Sequence, residues 1–218
     1  MKKFISTISL IVLVISFFAQ ADQQITLEDI FEKGTYRQET IPGLRSMNDG
    51  EHYTTMENNT RIVKNSYETG DQAAILFDVT KIEDTPVSSF LDYSMSEDET
   101  KIMLITNKKK LFRHSFTADY YIWNSVTEEL TSLSEKGSQQ NATFSPDGNY
   151  VAFTRENNLF IKNLKFGNET QITYDGQKGK TLNGLPDWVY EEEFGFTKAF
   201  WWSPDSKFLA YIKFDESE

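Results

Sequence analysis

A strand-and-turn signature with a period of 49 residues is the feature of this sequence that most restricts its fold. Residues 144–153, FSPDGNYVAF, recur as residues 202–211, WSPDSKFLAY, and weaker copies lie at residues 48–53 and 96–104. The acidic turn residues Asp49, Asp98 and Asp147 are spaced 49 residues apart. A period near 50 residues, with several short strands in each unit, is typical of a β-propeller.

Each unit divides into four short strands separated by Asp, Asn and Gly turns. In the third unit the predicted strands are residues 142–145, 150–155, 159–164 and 170–174, and in the second they are 102–106, 111–116, 119–123 and 130–133. The sequence therefore predicts an all-β protein of antiparallel four-stranded blades. Aromatic residues suit such half-buried sheet surfaces, and we expect packing between blades to account for most of those in the second unit; they are Phe116, Tyr120, Tyr121 and Trp123.

The number of repeats predicts an incomplete ring. Three full periods and a short remainder follow Asp49, whereas known propellers close with roughly 4–8 blades. We therefore expect residues 22–218 to be the opening arc of a larger propeller, with the sequence stopping inside a blade.

The amino terminus is typical of an exported protein. Lys2 and Lys3 precede an apolar run at residues 4–18, and Ala19-Gln20-Ala21 fits a signal-peptidase site, which predicts a signal peptide at residues 1–21. An uncleaved anchor is the alternative, although the run is shorter than the roughly 20 residues of a membrane helix. Just beyond, residues 26–29 (TLED) predict the capping box of a short helix that stops at Gly34.

The net charge and the cysteine content restrict the expected cellular location of the protein and the kinds of partner that it can bind. The sequence has no Cys, which excludes disulfides and a lipoprotein anchor and fits a bacterial exported protein, in the periplasm, at the cell surface or secreted. Its formal charge of −11 becomes −13 without Lys2 and Lys3. Such a balance repels nucleic acid, so we expect no nucleic-acid partner.

One acidic segment interrupts the repeat. Asp205 follows Asp147 by 58 residues instead of 49, and the additional length falls near residues 187–194, DWVYEEEF. Asp187 predicts the cap of a short helix. Its three consecutive carboxylates could form a solvated helix face or a clamp for an ammonium group, and residue chemistry alone leaves both interpretations open. Adjacent carboxylates match neither a calcium loop nor the flanking pair of a glycosidase, so we predict no metal site.

Several of these motifs resemble those of the dipeptidyl peptidase IV family of serine exopeptidases. The resemblance rests on residues 187–193 (DWVYEEE), on residues 201–204 and 208–211, and on residues 113–118, RHSFTA. It implies an eight-bladed propeller that caps an α/β-hydrolase domain. It also implies that the whole enzyme removes Xaa-Pro or Xaa-Ala dipeptides from peptide amino termini. It also implies a homodimer when the protein is full length, and no cofactor.

The resemblance assigns roles to three residues. In the family, the last two acids of the motif anchor the substrate's free amino terminus, which maps onto Glu192 and Glu193, and an Arg that maps onto Arg113 polarises the carbonyl of the bound dipeptide. Glu191 is then expected to be a helix-face residue. The family's catalytic Ser, Asp and His lie further downstream, and these 218 residues contain no Gly-x-Ser-x-Gly motif. We therefore expect no catalytic residue in this chain and no peptidase activity from it alone.

Two other hypotheses remain open. The Ser-Pro-Asp-Gly turn is shared by many propellers, so the chain could be a non-catalytic, secreted binding or scaffold module. It could also belong to a relative that has lost or altered its peptidase activity. The acidic segment together with Arg113 favours the peptidase over a generic scaffold.

Overall fold

The computed structural model describes residues 25–38 and 40–217. The predicted signal peptide at residues 1–21 lies outside the described residues. The chain divides into two units at Thr40 and Ile41. In the first unit, helix α1 (Leu27–Phe31) has the predicted capping box, in which Thr26 accepts from the backbone of Asp29 and the Asp29 side chain accepts from the backbone of Thr26. Within the part of the chain that is described, no helix is long and apolar enough to cross a bilayer.

The second unit contains three antiparallel four-stranded sheets, each with its strands in sequence order. The fold prediction of propeller blades is therefore confirmed. Blade 1 consists of β1 (Arg45–Ser46), β2 (His52–Glu57), β3 (Arg61–Ser66) and β4 (Gln72–Asp78), and a short 3-10 helix, Val79–Lys81, follows it. Blade 2 consists of β5 (Asp92–Met95), β6 (Lys101–Lys110), β7 (Phe116–Asn124) and β8 (Glu129–Ser132). Blade 3 consists of β9 (Gln140–Phe144), β10 (Tyr150–Arg155), β11 (Asn158–Asn163) and β12 (Glu169–Gln171).

The strands predicted for the second unit need one correction. Residues 111–115 do not form a strand; they form the tip of the β6–β7 hairpin, where the Leu111 N–H donates to the Ser115 carbonyl at 2.9 Å. The first strand of this blade, β5, instead precedes the turn acid Asp98. Residues 107–110 are one asparagine and three lysines, which are depleted in strands, so the sequence did not reveal that β6 continues to Lys110.

Apolar side chains fill the spaces between neighbouring blades. Ile62 and Phe77 of blade 1 pack with Ile102 and Leu104 of blade 2 in one buried cluster. A second cluster joins blade 2 to blade 3, and a third joins blade 3 to Phe200. Alternation along β7 sends Tyr121 and Trp123 to the first cluster and Phe116 and Tyr120 to the second, so the expected packing role of these aromatics is confirmed.

The repeated Ser-x-Asp turn closes on itself in the same way in three units. The serine hydroxyl donates to the carboxylate two residues later, at 2.5 Å for Ser96, 2.6 Å for Ser145 and 2.7 Å for Ser203. That hydroxyl also accepts a backbone N–H from the start of the next strand, as Ser145 does from Tyr150 at 3.0 Å. Because both groups of the turn are satisfied locally, the motif starts the second strand of each unit at a fixed position.

The remaining strands form an interrupted two-stranded ladder. Strand β13 (Thr181–Asn183) pairs with β16 (Lys213–Asp215). Strand β14 (Phe200–Trp202) pairs with β15 (Leu209–Tyr211), which comes just before β16 in the chain. Between β13 and β14, Gly184 donates to Ile212 at 3.0 Å, and Ala199 donates to Gly184 at 2.9 Å. β13 and β14 are thus one strand from which residues 185–198 leave and to which they return.

Candidate functional site

The segment that leaves this interrupted strand carries the acidic motif. It contains helix α2 (Trp188–Phe194), capped by Asp187, whose carboxylate accepts the Tyr190 N–H at 2.9 Å. Gly195 ends the helix in a left-handed conformation with φ of 71°. The prediction of a short helix outside the blade ladder, with Asp187 as its cap, is confirmed.

Two contacts fix this excursion to the blades. The Tyr190 ring packs edge-on against Phe214 of β16 at a centroid distance of 5.1 Å, and Phe194 and Phe196 complete the aromatic group. On the return, the Asn141 side chain of β9 donates to the Thr197 carbonyl at 2.7 Å. The helix is therefore held from its own sheet and from blade 3.

The second component of the site is the extended β6–β7 hairpin of blade 2. The ladder shifts register between Thr106 and Lys109, after which Lys109 pairs with Thr117 and Lys110 with Phe116. In blades 1 and 3 the corresponding strands are six residues long, whereas β6 has ten residues and β7 nine. This additional length carries Arg113 to the tip of the hairpin.

The hairpin and helix α2 meet through Glu191. Oε1 of Glu191 accepts the backbone N–H groups of His114 and Ser115, both at 2.8 Å. The residue is 3% exposed, so the expectation that Glu191 is a solvated helix-face residue is wrong. Burial alone would raise the pKa of this carboxyl, but the hydrogen bonds donated by Ser115 and His114 outweigh it, and the pKa lies below its ordinary value.

The two sequence-predicted charges Arg113 and Glu192 lie side by side at this junction. Arg113 Nε is 3.2 Å from Glu192 Oε2, with the Arg113 side chain 66% exposed and that of Glu192 15% exposed. Glu193, the next residue of α2, is exposed. The structure therefore places Arg113 beside Glu192, and Glu193 occupies the next position of the same helix. Such a group can hold a ligand that offers both an ammonium and a carbonyl oxygen.

A cavity of about 620 Å³ borders the same junction. Leu111, Phe112 and Ser115 of the hairpin line it, as do Trp188 and Glu191 of the helix. Arg155 also lines it, but its guanidinium is engaged by Glu169 at 2.8 Å and by Ser134 at 2.7 Å. Across the described ranges, no group of three or more His, Cys, Asp or Glu side chains is arranged to hold a metal ion.

Sequence reasoning missed two parts of this site. The first is the buried acceptor role of Glu191, because three identical neighbours in the sequence do not show which one faces the protein. The second is the Asn141 contact with Thr197, which joins residues 56 apart. The positive φ of Asn141, 58°, is a backbone feature that its residue type only weakly signals.

The part of the chain that matches a known family model includes both site segments. Residues 96–218 match the family model described as the dipeptidyl peptidase IV (DPP IV) N-terminal region. The prolyl endopeptidase FAP of Homo sapiens is 35% identical over 196 residues, which cover 89% of this chain and 25% of that protein. Dipeptidyl peptidase 4 of Felis catus is 34% identical over 202 residues, covering 92% of this chain and 26% of that protein.

A solved structure gives the same result. The crystal structure of Porphyromonas gingivalis dipeptidyl peptidase 4 superimposes with a TM-score of 0.82 and 41% sequence identity, over 90% of this chain and 28% of that one. The chain thus spans about a quarter of the length of the curated relatives it matches.

Proposed function

Because this chain belongs to the family of dipeptidyl peptidase IV N-terminal regions, we propose that it forms the substrate-anchoring part of an exported dipeptidyl peptidase. The proposed whole protein is a serine peptidase that removes Xaa-Pro or Xaa-Ala dipeptides from peptides with a free amino terminus. In this proposal residues 1–21 are a signal peptide, residues 22–218 are part of a propeller, a hydrolase domain supplies the nucleophile, and the full-length enzyme is a homodimer.

The observation that carries the proposal is the pair formed by Arg113 of the β6–β7 hairpin and Glu192 of helix α2, whose charged groups are 3.2 Å apart. A structural ion pair would not need an exposed second carboxylate beside it, yet Glu193 is exposed on the next position of the helix. An α-ammonium has three donors, so it can bond to both carboxylates at once. Arg113, whose side chain is largely exposed, remains able to donate to the carbonyl of the same dipeptide.

The anchoring geometry also explains a two-residue product. A substrate whose terminal ammonium is fixed at Glu192 and Glu193 presents its second peptide bond at a constant distance from the anchor. An extended dipeptide spans about 7 Å, so the enzyme selects the scissile bond by length from the terminus. An acetylated terminus cannot bind in the same way because it has lost both its charge and two of its donors.

The test is substitution of the two carboxylates in the full-length protein. Each bond between a charged carboxylate and the ammonium is worth roughly 1.5–3 kcal/mol, so Glu192→Ala and Glu193→Ala should each lower kcat/KM on a Gly-Pro chromogenic substrate by about 10- to 150-fold. Glu68→Ala, which removes an exposed acid in a blade 1 turn, is the matched control and should retain wild-type activity. Full activity in both site variants would refute the anchor, whereas no activity in the wild-type full-length protein would favour a scaffold module.

The 218-residue chain alone gives a second, independent measurement. We expect it to bind free-amine dipeptides without cleaving them, because the anchor residues lie within it and the proposed nucleophile does not. Turnover of the chromogenic substrate by the purified chain, after contaminating peptidases are removed, would contradict this division of roles.

A further inference from the structure

The three consecutive glutamates of α2 have different environments, and the first of them faces the protein. Glu191 is 3% exposed and directs Oε1 to two backbone N–H groups of the hairpin, while Glu193 is exposed. Since the partners are 77 and 76 residues away in sequence, the contact joins two separately formed parts of the fold. Glu191 is therefore not positioned to hold a substrate ammonium.

We propose that Glu191 is a positioning residue, which fixes the hairpin tip on helix α2 so that Arg113 stands beside Glu192. The inference rests on the proposed function and deepens it, since it concerns how the same site is assembled. Arg113 immediately precedes His114, so the two hydrogen bonds restrain the backbone at the base of the Arg113 side chain.

The hairpin tip needs such a restraint because its own side chains provide little. Leu111, Phe112, Arg113 and His114 are all exposed, and the ladder beyond the register shift has only two residue pairs. Helix α2, by contrast, is held by its Asp187 cap, by the Tyr190 aromatic group and by the closure between Gly184 and Ala199. Loss of the Glu191 contact should therefore release the hairpin rather than the helix.

The buried position makes a carboxylate suitable for this purpose. An ionised carboxylate accepts stronger hydrogen bonds from backbone N–H groups than a neutral acceptor does, which offsets the cost of its burial. Because both N–H groups point to the same oxygen, a glutamine can reproduce the geometry with its carbonyl oxygen. Aspartate lacks one methylene group and cannot reach the hairpin from the same helix position.

The test is a set of Glu191 variants of the full-length protein, assayed on a free-amine Gly-Pro substrate. Glu191→Ala and Glu191→Asp should lower kcat/KM by about tenfold, because the hairpin no longer holds Arg113 beside Glu192. The loss should not exceed the loss caused by Arg113→Ala. Glu191→Gln should stay within about threefold of wild type because it retains the acceptor.

A double-mutant cycle separates positioning from a general effect on folding. If Glu191 acts through Arg113, adding Glu191→Ala to Arg113→Ala should change kcat/KM by less than about twofold. A tenfold additional loss in that background would overturn the proposal. Wild-type activity of Glu191→Ala would also overturn the positioning role. If Glu192→Ala lost activity in the same assay, the proposal that Glu192 anchors the ammonium would still stand, so the two proposals can fail separately.

Amide hydrogen exchange provides a readout that does not depend on activity. The amides of His114 and Ser115 should be protected in the wild type and in Glu191→Gln, and should exchange faster in Glu191→Ala, while those of β10 should remain unchanged. Should Glu191→Ala fail to fold, Glu191→Gln still decides the question. If Glu191→Gln retained amide protection but its kcat/KM fell as low as that of Arg113→Ala, the charge of Glu191 itself would be required, and a positioning role would be refuted.

Discussion

Arg113 Nε lies 3.2 Å from Glu192 Oε2, although Arg113 is at the tip of the β6–β7 hairpin and Glu192 is in helix α2, 79 positions further along the sequence. The pair is formed where two departures from the regular blade meet, an extended hairpin in blade 2 and an excursion from the interrupted strand. A regular blade has a short turn at the first place and an uninterrupted strand at the second. The candidate site is thus built from the irregular parts of a regular frame, which is where binding residues are often found in proteins.

The proposed anchor predicts that activity falls at alkaline pH. The α-ammonium of a peptide has a pKa near 8, and only its protonated form can donate to both Glu192 and Glu193. As the pH rises through that value, KM for a free-amine dipeptidyl substrate should therefore increase. The measurement is KM from pH 7 to pH 10. The Glu192→Ala, Glu193→Ala double variant should show a much weaker dependence, and a flat wild-type profile would contradict the anchor.

The Ser-x-Asp turn predicts a pH-dependent contribution to stability. Burial would raise the pKa of Asp147, but hydrogen bonds from Ser145 and Asn149 outweigh it, so the pKa is below its ordinary value. A carboxyl with a lowered pKa in the folded state stabilises the fold above its unfolded pKa of about 3.9, and this contribution is lost as the pH falls through the folded pKa.

Ser145→Ala tests this turn. Ser145 is buried and bonds to both Asp147 and the Tyr150 backbone, so its loss should lower the free energy of unfolding by about 1–2 kcal/mol at pH 7. The difference from the wild type, measured by urea unfolding, should shrink below about pH 4 as Asp147 becomes protonated. Ser88→Ala, at an exposed loop position, should change stability by less than about 0.5 kcal/mol. An equal Ser145→Ala effect at pH 7 and pH 3 would argue against the role of the carboxylate.

Gly184 is the residue at which the acidic excursion leaves its strand, and it should not tolerate a side chain. Its φ is +74°, and an added Cβ would lie 3.2 Å from Phe200 and 3.3 Å from both Leu159 and Thr154. Gly167 has a similar φ of +71° with no heavy atom within 4 Å of the added Cβ.

The two glycines therefore form a matched pair of variants. Gly167→Ala should lower the free energy of unfolding by about 1–2 kcal/mol, because alanine is strained in the left-handed conformation. Gly184→Ala should lower it by more, because a buried neighbour must also move. Urea unfolding of both variants gives the comparison. Equal destabilisation would mean that the crowding at Gly184 relaxes without cost.

The sequence by itself determined the repeating frame. Local signals set it, since each Ser-x-Asp turn satisfies its own polar groups and each strand shows its own alternation, and the same signals gave α2 its Asp187 cap. The family motifs also placed Arg113, Glu192 and Glu193 in one proposed site. Such features depend on residues close in sequence, which is why the four-stranded blades and the short helix were predictable.

Only the tertiary structure decided which glutamate faces inward and where the hairpin tip lies. The bonds of Glu191 to His114 and Ser115, and that of Asn141 to Thr197, join segments more than fifty residues apart. No local pattern distinguishes Glu191 from its two identical neighbours. Its burial follows from how the excursion at Gly184 and the extended hairpin are oriented by separate blades, and that orientation exists only once the blades have packed.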